Sequence, residues 1–225
     1  MRDFVLLSEK NRERYLRIVT PIGNLFARLG VHPNILSISG LILSIVSGIV
    51  YSMGYFLWGG CVLIFAGTCD VLDGLLARQT GKVSRFGAFF DSTLDRFGEV
   101  FIFMGLAWYF SGGGALLSGL LGPTTKAQSP LAVIFIIMAI AGSFMVSYTR
   151  ARAEGLGVDC KVGLMQRPER ITLLILGSLL GGIPVVGIII VKITLVILAV
   201  LTNVTALQRM IYVKKALIRE TTEAP

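Results

Sequence analysis

The chain has 225 residues, of which 54% are hydrophobic and only 15% are charged, and its formal net charge is +8. Soluble domains carry roughly 25% charged residues, so this composition excludes an ordinary soluble domain and indicates a polytopic membrane protein. The basic residues flank apolar segments, which favours an anionic membrane surface and anionic substrates over nucleic acid as the reason for the positive charge.

Residues 1–33 alternate basic and apolar side chains, a pattern typical of an amphipathic helix on the membrane surface. Six apolar runs follow, at about 35–56, 57–77, 88–110, 130–149, 171–183 and 185–208, and a loop is predicted at 111–129. The fifth run is long enough to cross a bilayer only if its helix begins near Pro168. We therefore predict an all-α polytopic membrane protein with six transmembrane helices and an N-terminal amphipathic surface helix.

These runs divide the chain into a juxtamembrane helix (1–33), a six-helix transmembrane domain that carries the candidate site (34–210) and a polar tail (211–225). With six spans, both termini and the loops after the second and fourth spans lie on one side, and that side holds nearly all the basic residues. The opposite loops contain only Lys126. The positive-inside rule then predicts an inner-membrane protein whose termini and basic loops are cytoplasmic.

The acidic residues are concentrated in one place. Between Glu13 and Glu154 the acids are Asp70, Asp73, Asp91, Asp95 and Glu99, all in predicted spans or at their cytoplasmic ends. Placing one acid at membrane depth costs roughly 2.5–3.5 kcal/mol. A cluster of such acids therefore requires a partner that offsets this cost.

The spacing of the aspartates indicates what compensates them. Asp70 and Asp73 share one helix face, Asp91 and Asp95 share another, and the two helices must run antiparallel because their loop is short. Four carboxylates can thus converge near the cytoplasmic surface, where hard divalent cations relieve their repulsion. We predict Mg²⁺ or Mn²⁺ there, as two ions that clamp a phosphate.

Glycines and other small residues accompany these acids at fixed intervals. The segment reads Asp70-x2-Asp73-Gly74-x2-Ala77-Arg78-x8-Gly87-x3-Asp91-x3-Asp95. It resembles the complete motif of the CDP-alcohol phosphatidyltransferases, at all eight positions and with the same spacing. Pro33-Asn34 before the first span also resembles the usual entry of that family into its membrane domain.

The resemblance implies a membrane enzyme that transfers the phosphatidyl group of a CDP-linked lipid to an alcohol and releases CMP. It implies two metal ions held by Asp70, Asp73 and Asp91 with Asp95 close by, and Asp95 as the general base. It also implies a homodimer. The implied CDP-lipid site consists of Asn34, Asp70, Gly74, Ala77, Arg78 and Gly87.

The stretch 147–170 resembles the inositol-phosphate branch of the family, although Arg150 stands where a lysine is expected. Arginine binds phosphate through paired hydrogen bonds, so a basic cluster beside the carboxylates favours a phosphorylated acceptor. The candidate phosphate-binding residues are Ser147, Arg150, Arg152, Arg167 and Arg170. Of these, Arg167 and Arg170 flank Pro168 at a predicted helix start, where the helix dipole also favours an anion.

Several alternatives stay open at this point. Glycerol 3-phosphate is a second phosphorylated acceptor, and the lipid donor can be CDP-diacylglycerol or an archaeal ether lipid. A cation transporter would use the aspartates as an ion site, but transporter sites usually lie near the bilayer midplane. A purely structural membrane scaffold gives no reason for acids in apolar segments.

Overall fold

The computed structural model describes residues 9–113 and 128–223. Within these ranges the chain forms seven helices and no strand: α1 (Glu9–Arg28), α2 (Pro33–Ser52), α3 (Phe56–Gln79), α4 (Arg85–Phe110), α5 (Pro130–Glu154), α6 (Arg167–Leu180) and α7 (Gly187–Glu223). Each predicted apolar run falls mainly within one helix, which confirms the all-α prediction. Outside the described residues lie the first eight residues of the predicted surface helix, most of the predicted loop at 111–129, including Lys126, and the last two residues of the tail.

Four of the described helices are long and apolar enough to cross a membrane: α2, α3, α5 and the part of α7 up to Arg219. Of the other two predicted spans, α4 carries four charged residues between Asp91 and Glu99, and α6 has only 14 residues. Length and composition therefore support a multi-pass protein, whereas the count of six spans stays a prediction.

The helix starts position three candidate site residues. Pro33 opens α2 directly after His32, whose Nδ1 accepts a hydrogen bond from the Asn34 amide at 3.3 Å. Ser84 caps α4 through its Oγ, which accepts from the Gly87 amide at 2.9 Å. Helix α6 begins at the candidate residue Arg167. Pro168 lies in its first turn, where the N–H that proline lacks would have no partner within the helix.

Helix α2 packs closely against both α3 and α4, α5 packs against α7, and α6 contacts α3 and α7. The α2–α4 contact depends on glycine: a Cβ at Gly105 would collide with the Gly48 backbone, and a Cβ at Gly48 with the Phe101 backbone. The apolar core, which includes Tyr51, Leu63, Leu106, Phe110, Ile136 and Leu195, lies between these helices. The close α2–α4 packing brings the acidic half of α4 against α2 and α3.

Helix α1 lies against α3. Val19 is buried on Leu72 and Leu76, and the Tyr15 hydroxyl is 2.7 Å from Thr68 Oγ1. An adjacent face of α1, together with Leu29 just after its end, exposes large apolar side chains: Ile18, Ile22, Leu25 and Leu29. An exposed apolar face on a helix rich in arginine suits a membrane interface.

Helix α7 is continuous for 37 residues, so it spans about 55 Å at 1.5 Å per residue. A bilayer core is about 30 Å thick, so part of α7 extends beyond it. This helical extension includes most of the predicted tail. It packs Val213, Ala216 and Leu217 on the loop after α5, at Val158 and Cys160.

Candidate metal and phosphate site

Three of the four predicted aspartates meet at the facing ends of α3 and α4. One carboxylate oxygen each from Asp70, Asp91 and Asp95 lies within 4.8 Å of the others, and all three residues are partly buried. The i,i+4 spacing on α4 places Asp91 and Asp95 on one face, and the antiparallel α3 presents Asp70 to them. Three oxygen donors at this separation fit a hard divalent cation.

Asp73 lies in the same cavity but in a more enclosed position. It is 6% exposed, and its Oδ2 accepts a hydrogen bond from Ser37 Oγ on α2 at 2.6 Å. The cavity is also lined by Gly67, Glu99 and Arg167. All four predicted aspartates therefore open into one cavity, with Ser37 holding the orientation of the most buried one.

Arg167 lies among the carboxylates themselves. Its Nη1 is 3.0 Å from Asp70 Oδ2, its Nη2 is 2.5 Å from Asp95 Oδ1, and its Nε is 4.0 Å from Glu99 Oε1. The sequence predicted Arg167 in a neighbouring cluster of arginines and gave no sign of these ion pairs. The physical reason for them is charge: several partly buried carboxylates at one point are stabilised by a cation held between them.

Arg170 is buried one turn further along α6. Only 3% of its side chain is exposed, and its Nη2 donates to Glu99 Oε1 at 2.7 Å. Its Nη1 donates to the Met165 carbonyl at 3.4 Å. Arg170 thus lies beside the aspartate cavity, in contact with an acid that was outside the predicted site.

The other predicted phosphate-binding residues lie at the end of α5. Arg150 is exposed and pairs with Glu154 at 2.8 Å, and Arg152 is exposed. Ser147 donates to the Ser143 carbonyl at 3.2 Å. The predicted cluster of arginines is therefore divided between the cavity and the exposed end of α5.

The residues predicted to bind the CDP-linked lipid lie toward the ends of α2, α3 and α4. A Cβ added at Gly87 would be 3.9 Å from Asn34 Oδ1, so these two residues are neighbours across α2 and α4. A Cβ added at Gly74 would be 3.5 Å from Arg78 Nη1. Ala77 is partly buried on the same helix. Small residues here leave backbone open to a ligand beside the aspartates.

Sequence reasoning missed three side chains that shape this region. Glu99 was counted among the acids but given no role, although its position four residues after Asp95 was a usable signal. Ser37, three residues after Asn34, carried no signal of its bond to Asp73. Arg209 was counted only among the basic residues of the predicted cytoplasmic side. It is 2% exposed and donates to the carbonyls of Val162 and Val146.

Comparison with known proteins gives a consistent result. The sequence model of the family described as CDP-alcohol phosphatidyltransferase matches residues 30–205. A phosphatidylinositol phosphate synthase of Streptomyces avermitilis is 33% identical, with 97% of this chain and 85% of that protein covered. An archaetidylinositol phosphate synthase of Methanothermobacter thermautotrophicus is 35% identical, with 88% and 89% covered.

Solved structures of the phosphatidylinositol phosphate synthase of Mycobacterium tuberculosis share the fold. The structure with CDP-DAG bound superposes with a TM-score of 0.75 at 31% identity, and the match covers 88% of this chain and 94% of that one. The structure in complex with manganese and citrate gives a TM-score of 0.74 at 30% identity, with 87% and 88% covered.

Proposed function

Since this chain belongs to the CDP-alcohol phosphatidyltransferase family, we propose that it makes phosphatidylinositol phosphate. In this reaction the phosphatidyl group of CDP-diacylglycerol is transferred to the hydroxyl of inositol 1-phosphate, and CMP is released. The observation that carries the choice of a phosphorylated acceptor is the pair of arginines at the start of α6, one inside the aspartate cavity and one beside it. Arginine forms paired hydrogen bonds to phosphate, which serine or choline as acceptor would not use.

We propose that Asp70, Asp73 and Asp91 hold Mg²⁺ or Mn²⁺, with two ions in the site and Asp95 close to them. The support is the donor set: partly buried carboxylate oxygens, three of them within 4.8 Å of one another. When bound, the ions would supply positive charge against the diphosphate of the donor and the charge that develops during transfer.

Asp95 is the proposed general base. It takes the proton from the acceptor hydroxyl, the freed oxygen attacks the lipid-side phosphorus, and the bond from that phosphorus to CMP breaks. Arg167 contacts Asp95 Oδ1 directly, so the carboxylate has a fixed orientation toward the cavity. A base held within hydrogen-bonding reach of its proton typically contributes about 10²–10⁴-fold to the rate.

The proposed donor site lies at the ends of α2, α3 and α4. Asp70 on α3 completes it beside the metal ions, and five further residues border the cytidine and its phosphates: Asn34, Gly74, Ala77, Arg78 and Gly87. The lack of bulky side chains at Gly74 and Gly87 supports this proposal, because a nucleotide can then approach the backbone. The acceptor phosphate binds at Arg167 and Arg170, with Ser147, Arg150 and Arg152 nearer the cytoplasm.

The membrane arrangement is part of the proposal. Six spans, with α4 and α6 as the two less apolar ones, leave both termini and the site on the cytoplasmic side of the inner membrane. The tail 211–225 is then cytoplasmic, and α1 within 1–33 lies on the membrane surface by its exposed apolar face. The family resemblance also predicts a homodimer, which light scattering of the detergent-solubilised protein measures.

The decisive experiment is CMP release by the purified protein in Mg²⁺ with CDP-diacylglycerol, comparing inositol 1-phosphate with glycerol 3-phosphate. We expect release with the inositol phosphate only, and none after chelation of the metal by EDTA. Release with glycerol 3-phosphate only would support the proposed phosphatidyl transfer but would refute inositol 1-phosphate as the acceptor. A protein that binds divalent cations but never releases CMP, with diacylglycerol or archaeal ether-lipid donors, would instead favour a cation transporter.

A further inference from the structure

Glu99 is a buried acid that lies outside the eight-residue motif. It follows Asp95 by one turn of α4, is 7% exposed and lines the same cavity as the four aspartates. A buried carboxylate without a partner would cost several kcal/mol, so its contacts indicate why it is there.

Those contacts are with the two arginines of α6. Glu99 Oε1 accepts from Arg170 Nη2 at 2.7 Å and is 4.0 Å from Arg167 Nε. Among the described residues, Glu99 is the only side chain that hydrogen-bonds or ion-pairs with Arg170, whose one other bond, to the Met165 carbonyl, is long at 3.4 Å. The direction in which the Arg170 guanidinium points is therefore set mainly by Glu99.

We propose that Glu99 is a positioning residue for the acceptor phosphate, which acts by holding Arg170 and, through it, the start of α6. The inference rests on the proposed function, because it assigns Glu99 to the acceptor half of that site. Arg167 pairs with Asp70 and Asp95, whereas the negative charge next to Arg170 comes from Glu99. Without that charge, Arg170 would be a buried cation with no acidic partner among the described residues.

The argument predicts a specific kinetic pattern. Glu99→Gln keeps the size and a hydrogen-bond acceptor but removes the charge, so it should raise the KM for the acceptor about tenfold. The KM for the CDP-lipid and kcat should change by less than about threefold, because Glu99 contacts neither the donor residues nor the reacting atoms. Glu99→Asp keeps the charge and should restore most of the acceptor affinity.

A double-mutant cycle separates positioning from a general structural role. We expect Glu99→Gln to add little to the KM effect of Arg170→Ala, since both variants remove the same contact. The proposal would be overturned if the double variant raised the acceptor KM by the product of the two single effects. Equal changes in the KM for donor and acceptor would also overturn it. So would a Glu99→Asp variant no better than Glu99→Gln at an equal melting temperature.

The same variants distinguish a failure of this inference from a failure of the proposed function. If the wild-type protein uses glycerol 3-phosphate instead, the cycle is measured with that acceptor, and non-additivity would still support the role of Glu99. If neither acceptor reacts, stabilisation of the protein by inorganic phosphate is measured as a shift in melting temperature. A shift that Glu99→Gln leaves at its wild-type size would overturn the proposal.

Discussion

Asp95 has a cationic neighbour at each of its carboxylate oxygens. Arg167 Nη2 contacts Oδ1, and Arg96 Nη1 lies 3.6 Å from Oδ2, too far for a hydrogen bond. The side chain of Asp95 is 13% exposed, so it is held rather than freely rotating in solvent. A carboxylate fixed in this way can present the same oxygen to each incoming hydroxyl, which general base catalysis requires.

We expect Asp95→Asn to lower kcat by about 10²–10⁴-fold, because the amide cannot accept the proton. Metal binding should largely survive, since the remaining aspartates supply the other oxygens. CMP release measures the first effect and Mn²⁺ titration by electron paramagnetic resonance the second. Asp159→Asn is the matched control, as Asp159 is exposed and pairs with Lys161 at the surface. Near-normal turnover of Asp95→Asn would refute its role as the base.

We expect Arg170→Ala to raise the KM for the acceptor at least tenfold more than the KM for the CDP-lipid, since the variant removes the proposed contact with the acceptor phosphate. The variant should also unfold more easily, by about 3–5 kcal/mol, because the buried Glu99 loses its closest ion-pair partner. Steady-state kinetics and thermal melting check the two effects. Lys161→Ala removes an exposed cation that is outside the proposed site and serves as the control for charge. Equal effects on both substrates would point to the donor site or to folding instead.

The positions of individual residues were predictable where they depend on helix periodicity. Asp91 and Asp95 converge with Asp70 because i,i+4 spacing and a short antiparallel connection leave few other arrangements. The pairing of Arg167 with Asp70 was not predictable, because it depends on how α6 docks against α3 and no local pattern encodes that docking. The same holds for the hydrogen bond from Ser37 to Asp73.

At the scale of the elements, the contact between α2 and α4 is set by two glycines. The carbonyl of Gly48 occupies the space that a side chain at Gly105 would need, and the neighbouring groups are backbone atoms that cannot turn away. Small residues at a helix crossing allow such close approach in membranes, where close packing drives helix association.

We expect Gly105→Ala to destabilise the protein by about 1–3 kcal/mol, because α2 and α4 must separate to admit the methyl group. Thermal melting in detergent is the measurement. Gly67→Ala is the control: it is also a helical glycine, but nothing lies within 4 Å of its added Cβ. Since alanine favours helix over glycine, that variant should melt at the same temperature or higher. Equal destabilisation by both would show that the crossing is not tightly constrained.

Helix positions were largely predictable, and their ends less so. Pro33 and Pro168 marked the starts of α2 and α6 because proline fits the first turn of a helix. The continuation of α7 to Glu223 was not predicted, since the segment after residue 210 is polar. Its helix is supported by tertiary contacts with the loop at 155–166, which hydropathy cannot detect.

At the scale of the whole molecule, the site joins distant parts of the chain. Helices α2, α3 and α4 pack together, and α3 and α4 supply all the acids that line the cavity. Arg167 and Arg170, which pair with acids of α3 and α4, come from α6, and α6 reaches them through its contact with α3.

The six-span arrangement predicts opposite sides for two exposed positions. In a variant without its native cysteines, Lys161→Cys should react with a membrane-impermeant thiol reagent from the cytoplasmic side only. Val185→Cys, in the turn between α6 and α7, should react from the other side only, because one helix lies between the two positions. Labelling of inside-out and right-side-out vesicles measures both. Reaction of both positions from the same side would exclude α6 as a span.

The partnership of Glu99 with Arg170 also has a consequence for biosynthesis. The two residues are 71 positions apart, so at about 5–20 residues per second the ribosome needs roughly 4–14 s to make the arginine after the glutamate. During that interval the acids of α3 and α4 lack the two arginines of α6 that pair with them in the folded protein. If α3 and α4 insert as a helical hairpin, we expect its stable insertion to wait for α6 or to depend on divalent ions.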